Sequence, residues 1–251
     1  MNLDNKRIVI TGAAQGLGLA MASELASAGA RIGLVDLDRD GLESARQQLT
    51  GQGHVIAVAN VADESAVERA FDELESGLGG IDGLVNNAGV TRDGLLVKAR
   101  DGQISDRMSL ADWQQVIDVN LTGVFLCGRE AATRMIRAGN GGLIINISSV
   151  SRDGNFGQTN YSAAKAGVEA MAVTWAKELA RFGIRAASIS PGFAATELVA
   201  SMPEKEIERI AGKIPARRLA APSEIASTAR FIFENEYVNG RDIAVDGGLR
   251  L

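Results

Sequence analysis

Tyr161 and Lys165 stand four residues apart at the start of a strongly helical segment, which sets both side chains along one face. A free phenol titrates near ~10 and is a poor base at neutral pH; bringing it to about 7 takes roughly 4 kcal/mol at ~1.36 kcal/mol per unit. One ammonium at ~4 Å, in a medium of effective dielectric ~20, supplies about that amount. The pair can therefore exchange a proton with an alcohol or a carbonyl without a histidine. The chain has one histidine, His54, with no companions at ligand spacing, so neither a Ser-His-Asp triad nor a metal site is expected. His54 opens an apolar run and reads as an exposed strand end. The single cysteine, Cys127, lies in Val124-Phe125-Leu126-Cys127 and reads as a packed thiol; a chain unable to form an internal disulfide suits a reducing cytoplasm.

A second chemical signal is the run Thr11-Gly12-Ala13-Ala14-Gln15-Gly16-Leu17-Gly18, which links an apolar strand to an amphipathic helix. Glycines there permit a tight turn and close backbone approach, and the helix aims its free N–H groups at a phosphate. No GxxxxGK[ST] occurs, which disfavours a P-loop nucleotidase. Asp36 closes the second strand. A carboxylate at that point can accept hydrogen bonds from an adenosine ribose and would repel a 2′-phosphate, so NAD(H) is expected over NADP(H). Arg31 and Arg39 are nearby cations that weaken the discrimination, and Asp38 is better placed than Asp36 to cap the following helix.

The elements that must position these groups alternate along the chain. Strands are expected at Arg7–Thr11, Arg31–Asp36, His54–Asn60, Gly83–Asn86, Leu143–Ser148, Arg185–Ser190 and Ile243–Val245. Several are almost continuously apolar, as strands covered on both faces should be. Leu17, Met21, Leu25 and Ala28 mark one helical stripe, and Val168, Met171, Trp175 and Leu179 another. The alternation predicts an α/β fold: one domain over 1–251, a Rossmann-like doubly wound parallel sheet of about seven strands with helices on both faces. Residues 91–110 are polar without a clean period and read as a surface excursion. Residues 191–215 begin with Pro191-Gly192 and carry Phe193, Leu198, Val199 and Met202 before a charged helix, which suits an apolar loop over a ligand crevice.

Composition excludes other classes. The 29 glycines exceed the ~18 of average usage, but only 4 prolines accompany them, so collagen-like and linker classes fall away. Acidic residues outnumber basic ones by 31 to 26, a net charge of −5, which disfavours nucleic acid as a ligand. No apolar run is long enough to span a membrane.

Over essentially its whole length the chain resembles the classical short-chain dehydrogenase/reductase family. The resemblance is carried by Thr11–Gly18, Asn86-Asn87-Ala88-Gly89, Asn120, Ser148-Ser149, Tyr161-Ser162-Ala163-Ala164-Lys165 and Pro191-Gly192. It implies a tetrad of Asn120, a serine, Tyr161 and Lys165. Tyr161 would be the general acid/base, and Lys165 would lower its pKa and hold the nicotinamide ribose. The serine would bind the carbonyl oxygen, and Asn120 would hold a helix kink and a proton-relaying water. Strand period assigns the serine to Ser149; counting back from Tyr161 assigns it to Ser148, and Ser149 is preferred. The cofactor-binding set implied is Gly12, Gln15, Gly16, Leu17, Gly18, Asp36, Asn60, Val61, Asn87, Ala88, Gly89, Tyr161, Lys165, Pro191, Gly192 and Thr196.

Within the family the chain is most similar to 3-oxoacyl-(acyl-carrier-protein) reductases, through Asn60-Val61, Asn86–Asp93, Gly157–Tyr161 and Ala244–Gly248. Gln15 and Asp36 depart from the NADPH-using pattern, and 91–110 is longer than usual. The expected function is interconversion of a secondary alcohol and a ketone, with an acyl-carrier-protein or CoA thioester as the preferred substrate; Arg92 and Arg152 would meet a phosphopantetheine or acidic carrier. Sugar and steroid alcohols are the alternative substrates, and a dinucleotide-binding regulatory protein is the alternative from another class. The family also implies a homotetramer.

Overall fold

A computed structural model describes residues 1–196, 199 and 203–251. Leu198 and Met202, two apolar members of the expected crevice loop, lie outside the described residues. The strands are β1 (Arg7–Thr11), β2 (Arg31–Asp36), β3 (Val55–Val58), β4 (Gly83–Asn86), β5 (Val97–Arg100), β6 (Gln103–Arg107), β7 (Gly142–Ile147), β8 (Ile184–Pro191) and β9 (Asp242–Val245). Among the described residues seven of them form one sheet in the order β3-β2-β1-β4-β7-β8-β9, every pair parallel. The helices are α1 (Gly16–Ser27), α2 (Arg39–Gln48), α3 (Glu64–Leu78), α4 (Leu110–Ile117), α5 (Gly123–Ala138), α6 (Thr159–Glu178), α7 (Glu204–Lys213) and α8 (Pro222–Glu234).

The near-continuous apolar strands have the explanation anticipated for them. In β1, Ile8 and Ile10 join the core under α1, α2 and α8, while Val9 joins the core under α3, α5 and α6. The same division runs through β7, with Leu143, Ile145 and Ile147 on one side and Ile144 on the other. A side-chain period of two with both faces covered leaves no position for a polar residue except at strand ends. The polar residues of β1 and β7, Arg7, Thr11 and Asn146, accordingly stand at or next to strand ends.

Several local expectations need correction. The third strand is shorter than His54–Asn60, spanning only Val55–Val58. His54 is half-buried rather than exposed: Nδ1 accepts from the Ile32 amide at 3.1 Å, and Nε2 lies 3.0 Å from the Thr50 carbonyl. It ties β2 to the turn before β3. The 91–110 excursion is exposed, yet it contains the antiparallel hairpin β5–β6. Its two-residue loop is Asp101-Gly102, with φ of 52° and 77°, the doubly positive geometry of a tight hairpin turn. The Asp-Gly pair was the available signal; weak apolar alternation around it hid the strands. Asp38, as anticipated, caps α2 by accepting from the Gly41 amide at 3.1 Å.

Glycine placement is decisive at the first turn. A Cβ on Gly18 would lie 2.0 Å from the Gly12 carbonyl oxygen, and one on Gly12 would lie 2.8 Å from Ala88 Cα. Both obstacles are backbone and cannot swing aside. Gly18→Ala should therefore lower stability by about 3 kcal/mol, read as a fall in the urea midpoint. A midpoint equal to that of the unmutated protein would contradict this packing.

Candidate active site

The connections from β1 and β4 leave the sheet in opposite directions, so a crevice opens between the C-terminal ends of these neighbouring strands. Buried Thr11, at the end of β1, accepts through Oγ1 from the amides of Asn87 at 3.0 Å and Ala88 at 3.1 Å. The Asn87 side-chain amide returns the connection, donating to the carbonyls of Thr11 at 3.1 Å and Gly12 at 3.0 Å. One level below, Asn86 donates to Asn146 of β7 at 2.9 Å, and Asn146 donates to the Val168 carbonyl of α6 at 3.0 Å. Polar side chains thus bind adjacent strand ends where the apolar interior stops.

A cavity of about 410 Å³ runs from this crevice toward the end of β2. Gly12, Gln15, Gly16 and Leu17 form one wall, Asn60, Val61, Asn87, Ala88 and Gly89 the opposite side, and Thr196 closes over the turn. Gly16 has φ +59° and, among the described residues, only Thr196 lies within reach of an added Cβ, at 3.7 Å; Gly16 lines the cavity. Asp36 lies at the far end. Its carboxylate accepts from the amides of Ala14 at 3.2 Å and Leu37 at 2.7 Å, which fixes it at the rim. Arg31, at the opposite end of β2, donates to the Gly77 carbonyl at 3.3 Å and does not approach Asp36.

A second cavity of about 310 Å³ is lined by Ser148, Ser149, Tyr161, Lys165, Pro191 and Gly192. Leu17, Asn87, Gly89 and Val90 line both spaces, so the two are continuous. The Lys165 ammonium donates to the Ile147 carbonyl at 2.7 Å and lies 5.5 Å from the centre of the Tyr161 ring. The Ser148 hydroxyl is taken up by the main chain of α6: it donates to the Lys165 carbonyl at 2.9 Å and is buried. Ser149 is placed differently. Its Oγ accepts from the Ser151 amide at 3.1 Å and shares the second cavity with the Tyr161 phenol.

The electrostatics differ from the simple ammonium–phenol estimate. Burial pushes the Tyr161 phenol above its usual value, the nearby Ser149 hydroxyl pulls it down by less, and the Asp93 carboxylate raises it further. Burial also pushes Lys165 down, to about 8. The lysine does not lower Tyr161 here because its ammonium is directed at a main-chain carbonyl and the face of the ring. Tyr161 is accordingly a protonated donor at neutral pH, beside a lysine that still carries its charge.

Asn120 lies in a π-helical turn, Asp118–Thr122, that joins α4 to α5 as one bent helix. Its side chain is fully buried and pairs with one residue twice, donating to the Val90 carbonyl at 2.8 Å and accepting from the Val90 amide at 2.8 Å. An added Cβ on Gly89 would lie 3.4 Å from Asn120 Oδ1 and 3.7 Å from Lys165 Nζ, so this glycine separates the two. Four expected positions, Gly18, Arg92, Asn120 and Arg152, line neither cavity. Gly18 is buried against Gly12 and closes the turn rather than facing phosphate space. Arg152 is engaged by Glu169 and Asp242 and is not a free cation for a carrier or phosphopantetheine. Residues missed in the sequence include Val35, Leu37, Ala59 and Val119, which line the Asp36 cavity, and Val90, which lines both. They are ordinary apolar residues of strands and turns, so only their position marks them. Thr11 carried a visible signal as the polar residue that ends the apolar run of β1.

Comparison with known proteins agrees with this geometry. A family model described as enoyl-(acyl carrier protein) reductase matches residues 12–250. The 3-oxoacyl-(acyl-carrier-protein) reductase of Thermotoga maritima is 42% identical, covering 99% of each chain. The (3R)-3-hydroxyacyl-CoA dehydrogenase of Canis lupus familiaris is 37% identical over 99% of this chain and 98% of its own. Among solved structures, a putative gluconate dehydrogenase from Agrobacterium tumefaciens superposes with a TM-score of 0.90 at 34% identity, covering 99% of this chain and 97% of that one. With a doubly wound sheet, a crevice at its switch point and full-length relatives at such identities, the chain belongs to the short-chain dehydrogenase/reductase family, oxidoreductases that act on CH–OH groups with a nicotinamide dinucleotide.

Proposed function

We propose that the protein interconverts a 3-oxoacyl and a 3-hydroxyacyl thioester, carried on CoA or an acyl carrier protein, with NAD(H) in preference to NADP(H). The observation that carries the reading is the continuous cavity from the Asp36 carboxylate, past Gly16, to Ser149, Tyr161 and Lys165. The named thioester enzymes among the relatives support the substrate class. The putative gluconate dehydrogenase keeps a sugar acid as the second reading, because its likeness also extends along the chain.

The residues present fit a dinucleotide. Asp36 would accept hydrogen bonds from the adenosine ribose, Gly16 and the first turn of α1 would receive the pyrophosphate, and Asn87, Gly89 and Lys165 would flank the nicotinamide end. When bound, that group supplies or accepts the hydride. The chain's own contribution is proton management and orientation. Ser149 Oγ, held by the Ser151 amide, would donate to the substrate oxygen and set it against the phenol. Tyr161 would give its proton to that oxygen as negative charge builds there. Lys165, its ammonium held by the Ile147 carbonyl beside the ring, would orient the nicotinamide end rather than shift the phenol.

Three results follow. Tyr161→Phe should cut kcat by about 10²–10⁴-fold while leaving NADH affinity intact, since only a proton donor is removed; turnover at the original rate would end the general-acid role. Asp36→Ala should weaken NADH binding by about 10-fold and improve NADPH binding; titration of cofactor fluorescence reads both, and a protein that favours NADPH before mutation would reject the assignment. Because burial holds Tyr161 protonated, reduction of acetoacetyl-CoA should proceed at neutral pH, whereas oxidation of 3-hydroxybutyryl-CoA, which needs the phenolate, should rise with pH. The same profiles measured with gluconate would distinguish the sugar-acid reading by kcat/KM.

A further inference from the structure

The turn that follows β7 carries an arginine whose bonds lead to three separate elements. Val150–Asp153 form one 3-10 turn, begun by Ser149 in extended conformation. The Arg152 amide donates to the Ser149 carbonyl at 3.1 Å, and its guanidinium reaches the same carbonyl through Nη1 at 3.4 Å. Nε pairs with Glu169 of α6 at 2.8 Å, and Nη2 with Asp242 of β9 at 3.3 Å. Asp242 is itself fixed, accepting from the hydroxyls of Ser188 at 2.7 Å and Ser190 at 2.8 Å, both fully buried in β8. The Arg152 side chain is 18% exposed and that of Asp242 only 8%. A guanidinium drawn out of water beside two carboxylates, with a planar fork that fits both, gives defined geometry.

We propose that Arg152 is a positioning residue: it ties the turn holding Ser149 to the helix holding Tyr161 and Lys165, and so sets where the Ser149 hydroxyl meets Tyr161. Glu169 stands two turns along α6 from Tyr161, so the bond joins the serine's support to the tyrosine's own element. Without it, the turn keeps its local hydrogen bonds but loses its tether to α6 and β9. The proposal rests on the functional roles given above to Ser149 and Tyr161, and its test does not require turnover.

The chain has two tyrosines, and Tyr237 is 99% exposed. In a Tyr237→Phe background the phenolate absorbance therefore reports Tyr161 alone. Ser149→Ala and Arg152→Met should each raise its titration midpoint, and Arg152→Met should add nothing once Ser149 is alanine. A residue acting only on overall stability, or by its charge directly on Tyr161, would shift both backgrounds equally. Such additivity, or an unmoved midpoint in Arg152→Met, overturns the proposal. With acetoacetyl-CoA, Arg152→Met should lower kcat by about 10²-fold at unchanged KM for NADH, with Arg152→Lys recovering part of the loss. Should Arg152→Met fail to fold, Glu169→Gln removes one tether and is read the same way. No turnover of acetoacetyl-CoA by the unmutated protein would reject the substrate reading, while the titration would still decide the role of Arg152.

Discussion

The structure depends on how two neighbouring strands are held where their connections part. β1 and β4 cannot be joined there by further sheet hydrogen bonds, because the chain leaves in opposite directions. Thr11 and Asn87 replace those bonds with four side-chain to main-chain contacts between 3.0 and 3.1 Å. Each takes up a backbone group that would otherwise lose its partner near the apolar interior, where an unpaired group costs about 1–3 kcal/mol. With the strand ends fixed, the glycine turn lies against Ala88, α1 can start at Gly16, and the crevice remains between two walls of defined separation.

Lys165 shows how such a site accepts an unfavourable charge. Its side chain is almost wholly buried and its ammonium has one main-chain acceptor, the Ile147 carbonyl. Burial with so few partners explains the downward push on the lysine and the upward push on the tyrosine, because both changes favour the neutral form. α6 must then be held firmly, since it carries both groups. Besides that ammonium bond, β7 and the turn after it hold α6 through Ser148 to the Lys165 carbonyl, Asn146 to the Val168 carbonyl, and Arg152 to Glu169.

The sheet was legible because its physical requirement is simple. Strands covered on both faces must be apolar between their ends, and β1, β2, β4 and β7 are, apart from Asn146 one residue before the end of β7. Asp36 and the Tyr161–Lys165 pair were legible for the opposite reason, as polar groups at places where the fold ends or begins an element. The β5–β6 hairpin was not, because its residues are exposed throughout and no buried face imposed alternation. Gly18 was assigned to phosphate space because spacing does not reveal which side of a glycine is crowded. Arg152 was read as a surface cation because its partners, Glu169 and Asp242, are distant in the chain. The direction of the tyrosine's shift was missed for a related reason: a sequence gives the charge of a neighbour but not the solvent removed around it.

Cys127 has a consequence for the chemistry of handling this protein. It is the only thiol in the chain, 1% exposed, and burial with the nearby Glu130 pushes it up to about 12. Peroxides and alkylating agents attack thiolates, and this side chain offers almost none at neutral pH. The groups around the second cavity are hydroxyls and an amine, which peroxide leaves unchanged. A protein so built keeps the side chains of that cavity intact without added reductant, in surroundings where an enzyme working through a cysteine would be oxidised and stop.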